Sequence, residues 1–317
     1  MVGLKNDPKI VNDPIKYREN MKNVTGKERW RGAMRSYKIR ANNLDFTVDE
    51  TGEGEDVMLL LHGFPQSRLA WTPLMSSLAT TGWRIVAPDM RGYGDTERPS
   101  RLKDYRIEAL TRDVVGLFDA LKARRRIVIG HDWGGVIAWR TAIDHADKIN
   151  GLVVINAPHP IVFDTLLKSG LKQRLRSLYV LFFLLPLLPE WHVTRRKGKG
   201  LMETLGRQSS AFSGEALAVY ARNICQPGAA TAMINYYRAN MTRLVAPYMH
   251  KPLQVPVQMV WGMNDPFLDR ALTDGNEALV ADFTLASLEG ISHWVLEEAP
   301  DRVVDAIHQW AREKGLL

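Results

Sequence analysis

Cysteine is nearly absent. Cys225 is the only one in 317 residues, so no intramolecular disulfide can form, and nothing points to a disulfide-stapled secreted fold. A reducing cytoplasm is the expected compartment. Long apolar runs are lacking too: the longest, residues 178–189, is broken by Pro186 and falls short of the ~20 residues that cross a bilayer. That run is expected to be buried or interfacial, and it could still lie against lipid. Residues 1–10 have no continuous apolar core of the kind a signal peptide or N-terminal anchor needs. No internal repeat or low-complexity stretch is present. The net charge of +7 comes without a helix-turn-helix, zinc-finger or RNA-binding signature, so nucleic acid is not an expected partner. Its clusters at Arg124-Arg125-Arg126 and Arg195-Arg196-Lys197-Gly198-Lys199 are most simply solvated faces, although either could attract phosphate or anionic head groups. No histidine–carboxylate cluster stands at metal-ligand spacing, and neither a metal nor an organic cofactor is expected.

What is present is an apolar fraction of 45%, enough to bury a sizeable core in one large α/β domain carrying an insertion. Residues 1–35 are charged with little apolar periodicity and read as an arm or lead-in. Alternating apolar positions over 37–41 and 44–48 predict a hairpin, followed by the continuously apolar Val57-Met58-Leu59-Leu60-Leu61, as expected of a strand covered on both faces. A strand at 84–87, an amphipathic helix over 107–122, a strand at 126–129, a helix from Gly135 to about His145 and a strand at 151–155 follow. Such alternation builds a mostly parallel sheet with helices on both faces. The pattern stops after Asn156-Ala157-Pro158-His159-Pro160 and resumes at 257–261, then 283–285, closing with a helix from about Pro300 to Lys314. The parse is an α/β domain with an eight-stranded sheet over 36–158 and 252–317. A helical insertion over 159–251 interrupts it after the sixth strand.

Gly130-His131-Asp132-Trp133-Gly134 sits directly after an apolar strand and before a helix, the small-X-nucleophile-X-small pattern of a sharp elbow that lifts one side chain above a sheet. The lifted position holds Asp132, and a carboxylate there can attack an electrophilic carbon to give an ester. A turn with an N-capping aspartate would use the same residues. An aspartyl ester must be hydrolysed for turnover, which requires a base that activates water and a group that orients the base. His293, in the glycine-bearing Gly290-Ile291-Ser292-His293-Trp294 after the last strand, fits the base. Asp265, just beyond the strand ending Trp261-Gly262, fits the orienting acid, although Asn264-Asp265-Pro266 is also ordinary turn chemistry. The chain order nucleophile, acid, histidine is that of the nucleophile-elbow hydrolases. An oxyanion needs preorganised N–H donors, and Trp133 and Phe64, the latter in His62-Gly63-Phe64-Pro65, are positioned to offer them.

These residues resemble the α/β-hydrolase-fold epoxide hydrolases. His-Gly-Phe-Pro, Asp-Met-Arg-Gly-Tyr-Gly, Gly-His-Asp-Trp-Gly-Gly, Asn-Ala-Pro-His-Pro and Ser-His-Trp occur in the family's order, from about residue 40 to the C-terminus. The Asp-Trp elbow is shared with haloalkane dehalogenases. The resemblance implies that the insertion is a cap carrying two tyrosines, Tyr179 and Tyr237, that bind the epoxide oxygen and protonate the alkoxide, with Tyr236 an adjacent rival. It also implies substrate contacts from His62, Pro65 and Trp294. Phe64 stands where many dehalogenases place a polar halide-binding side chain, and Trp133 where fluoroacetate dehalogenases carry an arginine. The implied reaction converts a lipophilic epoxide and water into a vicinal diol through an ester on Asp132. The competing readings are a haloalkane dehalogenase and a hydrolase-like binding protein without turnover. Peripheral membrane contact through the cap and a homodimer are left open.

Overall fold

The computed structural model describes residues 34–241 and 251–317. The arm expected over 1–35 lies, apart from its last two residues, outside the described residues.

Eight strands form one sheet in the order β1-β2-β4-β3-β5-β6-β7-β8. β1 (Arg35–Ala41) and β2 (Leu44–Thr51) make the expected hairpin. Its two-residue turn, Asn42-Asn43, takes positive φ at both positions, the mirror-image turn whose twist suits a hairpin and which asparagine tolerates. β2 also pairs antiparallel with β4 (Arg84–Pro88). From there every pairing is parallel, through β3 (Val57–Leu61), β5 (Arg126–His131), β6 (Gly151–Ile155), β7 (Val257–Gly262) and β8 (Phe283–Leu288).

The continuous apolar runs follow from this topology. In β3, Leu59 and Leu61 join one core cluster and Met58 and Leu60 another, on opposite faces of the pleat. Helices α1 (Thr72–Leu78) and α11 (Pro300–Glu313) cover the second face, while α2 (Ile107–Ala120) and α3 (Trp133–Asp144) cover the first. α2 turns Ile107, Leu110, Val114, Leu117 and Phe118 inward, the i, i+3, i+4 stripe expected from its sequence. Each such side chain stabilises the fold by about 1.5–3 kcal/mol relative to an exposed one.

Two elements differ from expectation in a way that matters. β5 runs on to His131, and α3 begins at Trp133 rather than after Gly135, so a single residue, Asp132, separates strand from helix. Glycine depresses both strand and helix propensity, which hid how closely the two elements approach.

Between β6 and β7 the described residues carry seven helices and no strand: α4 (Pro160–Ser169), α5 (Leu171–Arg176), α6 (Leu178–Leu184), α7 (Leu188–Thr194), α8 (Lys199–Gln208), α9 (Gly214–Ile224) and α10 (Ala229–Asn240). This cap rests on the carboxyl ends of the parallel strands. α5 is tied to the loop after β7: Gln173 donates to the Phe267 carbonyl and accepts from the Asp269 amide, and Arg176 donates to the Asp265 and Leu268 carbonyls at 2.8 Å each. Among the described residues no single helix is long and apolar enough to cross a membrane.

Candidate active site

Asp132 adopts φ +53°, ψ −120°, a conformation that strains a non-glycine residue, at the point where β5 becomes α3. Three glycines make the elbow possible by lacking a side chain. A Cβ on Gly134 would lie 2.1 Å from the Leu61 carbonyl oxygen, one on Gly130 2.3 Å from the Gly134 carbonyl oxygen, and one on Gly63 2.4 Å from the Asp132 Cβ. The last approach brings the Phe64 amide within 2.8 Å of Asp132 Oδ1, to which it donates. Trp133 is the first residue of α3, so its N–H has no partner within the helix. Asp132 Oδ1 thus sits on the Phe64 amide, and Oδ2 faces His293.

His293 Nε2 stands 3.6 Å from Asp132 Oδ2, and its Nδ1 is 2.6 Å from Asp265 Oδ2. Asp265 is fully engaged: Oδ1 accepts from the Phe267 and Leu268 amides at 2.7 and 2.9 Å, and Oδ2 also accepts from Asn156 Nδ2 at 2.7 Å. Burial alone would raise its pKa, but His293 and these donors hold it below the usual carboxylate range. Burial likewise opposes charge on His293, yet Asp265 and Asp132 outweigh it and raise its pKa to about 10. Asp132 is held low chiefly by His293, against its own desolvation. The resting pair is therefore a carboxylate facing an imidazolium.

Asp132, Trp133, Tyr179 and Tyr237 line one cavity of about 270 Å³ between sheet and cap, walled by apolar side chains such as Val136, Phe163, Leu178 and Leu181. Tyr237 is 5% exposed, with its ring centroid 5.0 Å from Trp133 and 4.8 Å from Phe183. Tyr179 packs edge-on against Phe183 and Phe267. Desolvation raises the pKa of both phenols, and the charge on Asp132 adds to it, so both stay protonated. Tyr236 turns away: it is fully buried and donates to the Arg91 carbonyl at 2.8 Å. Successive residues on a helix point about 100° apart, and here one faces the core and the other the cavity.

Such a site can attack an electrophilic carbon and then hydrolyse the ester, and comparison with known proteins places the chain in a family. A family model described as alpha/beta hydrolase fold matches residues 56–300. Human epoxide hydrolase 4 is 34% identical over 286 residues, covering 87% of this chain and 78% of its own. Xenopus tropicalis epoxide hydrolase 3 is 35% identical over 289 residues, covering 88% and 78%. The crystal structure of a Bacillus megaterium epoxide hydrolase in complex with an inhibitor superposes with a TM-score of 0.81 at 26% identity, covering 87% of this chain and all of the other. The chain belongs to the epoxide hydrolases of the α/β-hydrolase fold.

In this hydrolase three residues expected to touch substrate do not line the cavity. His62 is fully buried and its Nε2 accepts from the Met90 amide at 3.0 Å, bracing the loop after β4. Pro65 is buried outside the cavity lining. Trp294 packs against Phe212 and donates to Gln208 Oε1 at 3.1 Å, bridging the histidine loop to α8. A conspicuous residue next to a catalytic one can as well support it as contact the ligand.

Sequence reasoning missed the supporting groups. Asn156, at φ +41°, accepts from the Gly262 amide while donating to Asp265, and only its place in Asn156-Ala157-Pro158 after β6 hinted at it. Behind His293 runs a buried polar chain. His131 Nε2 is 2.9 Å from the His293 carbonyl, His131 Nδ1 is 3.1 Å from the Gln66 side-chain amide, and that amide is 2.7 Å from Glu297 Oε1. Burial, helped by the charge on His293, brings the pKa of His131 down to about 4, so it has one N–H, which the His293 carbonyl takes. Its Nδ1 must then accept. That turns the Gln66 nitrogen toward His131 and its oxygen toward Glu297, an exchange that leaves the distances unchanged. Glu297 supplies the remaining proton, because burial pushes its carboxyl up to about 8.

This gives a signed pH prediction. A carboxyl of ordinary value 4.5 that is raised to about 8 in the fold contributes stability below pH 4.5 that is lost between pH 4.5 and about 8. Glu297→Gln keeps a donor for Gln66 without titrating. Its Tm relative to the native protein should climb across that window, by the equivalent of on the order of a few kcal/mol. Parallel Tm curves from pH 5 to 8 would show that Glu297 is already ionised at neutral pH.

Proposed function

We propose that the protein hydrolyses a lipophilic epoxide to a vicinal diol through a hydroxyalkyl ester on Asp132. The observation that carries this reading is the presence of two protonated phenols, Tyr179 and Tyr237, in the cavity that Asp132 enters. An alkoxide is a poor leaving group near neutral pH, so the ring oxygen needs an acid as its C–O bond breaks. A halide needs none, and the ring of Phe64 has no polar group to hold one.

In the proposed sequence, the tyrosines hold the ring oxygen and Oδ2 of Asp132 attacks a ring carbon. The C–O bond breaks, and a tyrosine proton passes to the oxygen. Alkylation removes the Asp132 charge, one of the two that keep His293 protonated. His293 can then return a proton to the tyrosinate through solvent and become a neutral base, oriented by Asp265. Water, losing its proton to His293 Nε2, attacks the ester carbon. The oxyanion forms on Oδ1, beside the Phe64 amide and the Trp133 N–H. Collapse expels the diol oxygen, which takes the proton from His293, and the carboxylic acid left on Asp132 passes the remaining proton of the attacking water to His293, restoring the carboxylate–imidazolium pair.

A single turnover in ¹⁸O-water with enzyme in excess over a lipophilic epoxide tests the sequence. The first diol should be unlabelled, and the label should appear in Asp132. Label in the first diol would mean direct attack by water, and halide release from haloalkanes with no diol from epoxides would make the protein a dehalogenase.

A further inference from the structure

The described surface leaves its apolar side chains in water mainly at one place. Of 14 large hydrophobic residues that are exposed, ten lie within residues 171–191, on α5, α6, α7 and the turns between them. A concentration of this kind marks a surface that meets a partner, since burial would otherwise have been favoured. Leu187 is the extreme case, 80% exposed at φ +63°, a conformation that leucine rarely adopts. Trp191, also exposed, has the Arg195 guanidinium 5.5 Å over its ring, combining apolar and cationic character at one point.

The same stretch holds most of the charge imbalance. Residues 159–208 contain nine Lys and Arg against three Asp and Glu, a net +6 where the whole chain has +7. The run 195–199 follows directly on α7, and its ion pair, Arg196 with Glu203 at 3.4 Å, is exposed.

Charge selects the occupant. A second copy of this face would bring the same positive charge. Residues 1–33, with eight Lys and Arg against four Asp and Glu, are positive as well. An anionic lipid surface matches both halves, with head groups for the cations and the acyl boundary for the leucines and Trp191. The helix pairs on either side of Leu187, 171–184 and 188–208, meet at 98°, which suits a segment lying along a surface rather than across it. Leu178, Tyr179 and Leu181 belong both to this exposed face and to the cavity lining.

We propose that the cap face of α5, α6 and α7 docks on anionic lipid surfaces and presents the cavity mouth to the acyl layer, so that substrate enters from the membrane. The docking goes beyond the ring-opening reading, and its measurement needs no substrate.

The test is co-sedimentation of the full chain with phosphatidylcholine vesicles, with and without phosphatidylglycerol. Binding is expected on the anionic vesicles and should fall with added salt. Two variants outside the catalytic groups, Leu175→Glu/Leu187→Glu and Arg195→Gln/Arg196→Gln/Lys197→Gln/Lys199→Gln, should each lower vesicle partitioning by about tenfold or more. Both should keep the native circular dichroism spectrum and native turnover of a short water-soluble epoxide. The proposal is overturned if the native chain ignores anionic vesicles, if it binds neutral and anionic vesicles alike, or if both variants bind as the native chain does. A concentration-dependent dimer that Leu175→Glu/Leu187→Glu dissolves would assign the face to a second copy instead.

Discussion

His293→Gln should consume one equivalent of epoxide and then stop. In the proposed sequence ring opening depends on the Asp132 carboxylate and the tyrosines, whereas hydrolysis depends on a base 3.6 Å from Asp132 Oδ2, and glutamine cannot take the proton of water. Multiple-turnover kcat should fall by about 10⁴-fold, while intact mass spectrometry finds the protein heavier by one substrate. The pH dependence has a definite sign. His293 serves as base only when neutral, so in the native enzyme the ester should build up as pH falls and disappear as pH rises. Unimpaired turnover in His293→Gln, or loss of activity with no adduct at any pH, would remove His293 from the role of base.

The second large effect concerns the acid. Tyr179→Phe/Tyr237→Phe leaves ring volume almost unchanged, so the fold should persist, but nothing then protonates the departing oxygen. Formation of the ester from an epoxide should slow by roughly 10³-fold, with each single change costing less because the other phenol remains. Both phenols titrate well above the physiological range, so neither should impose an alkaline limb between pH 7 and 9. Tyr236→Phe is the matched control, since its hydroxyl serves the Arg91 carbonyl and not the cavity. A comparable loss of ring opening in Tyr236→Phe and in the double variant would mean that the tyrosines act through packing.

Much of this was legible without coordinates, and for identifiable reasons. A parallel sheet covered on both faces needs continuous apolar runs, so β3, β5, β6 and β7 could be read directly. An elbow needs small residues around a lifted one, so Asp132 could be singled out from Gly130 and Gly134. The chain order of Asp132, Asp265 and His293 followed from where the strands ended.

Sequence pattern alone thus determined the strands and singled out Asp132, Asp265 and His293, which the fold brings together, because each depends on local periodicity or on its position relative to a strand end. Only tertiary packing decided which of Tyr236 and Tyr237 lines the cavity with Asp132, because neighbouring residues of one helix differ only in what lies opposite them. The roles of His62 and Trp294 as supports, the grip of Asn156 on Asp265, and the chain from Glu297 to the His293 carbonyl were likewise fixed by contacts between residues far apart in sequence. Periodicity reports whether a side chain is buried. The rest of the fold determines what it is buried against.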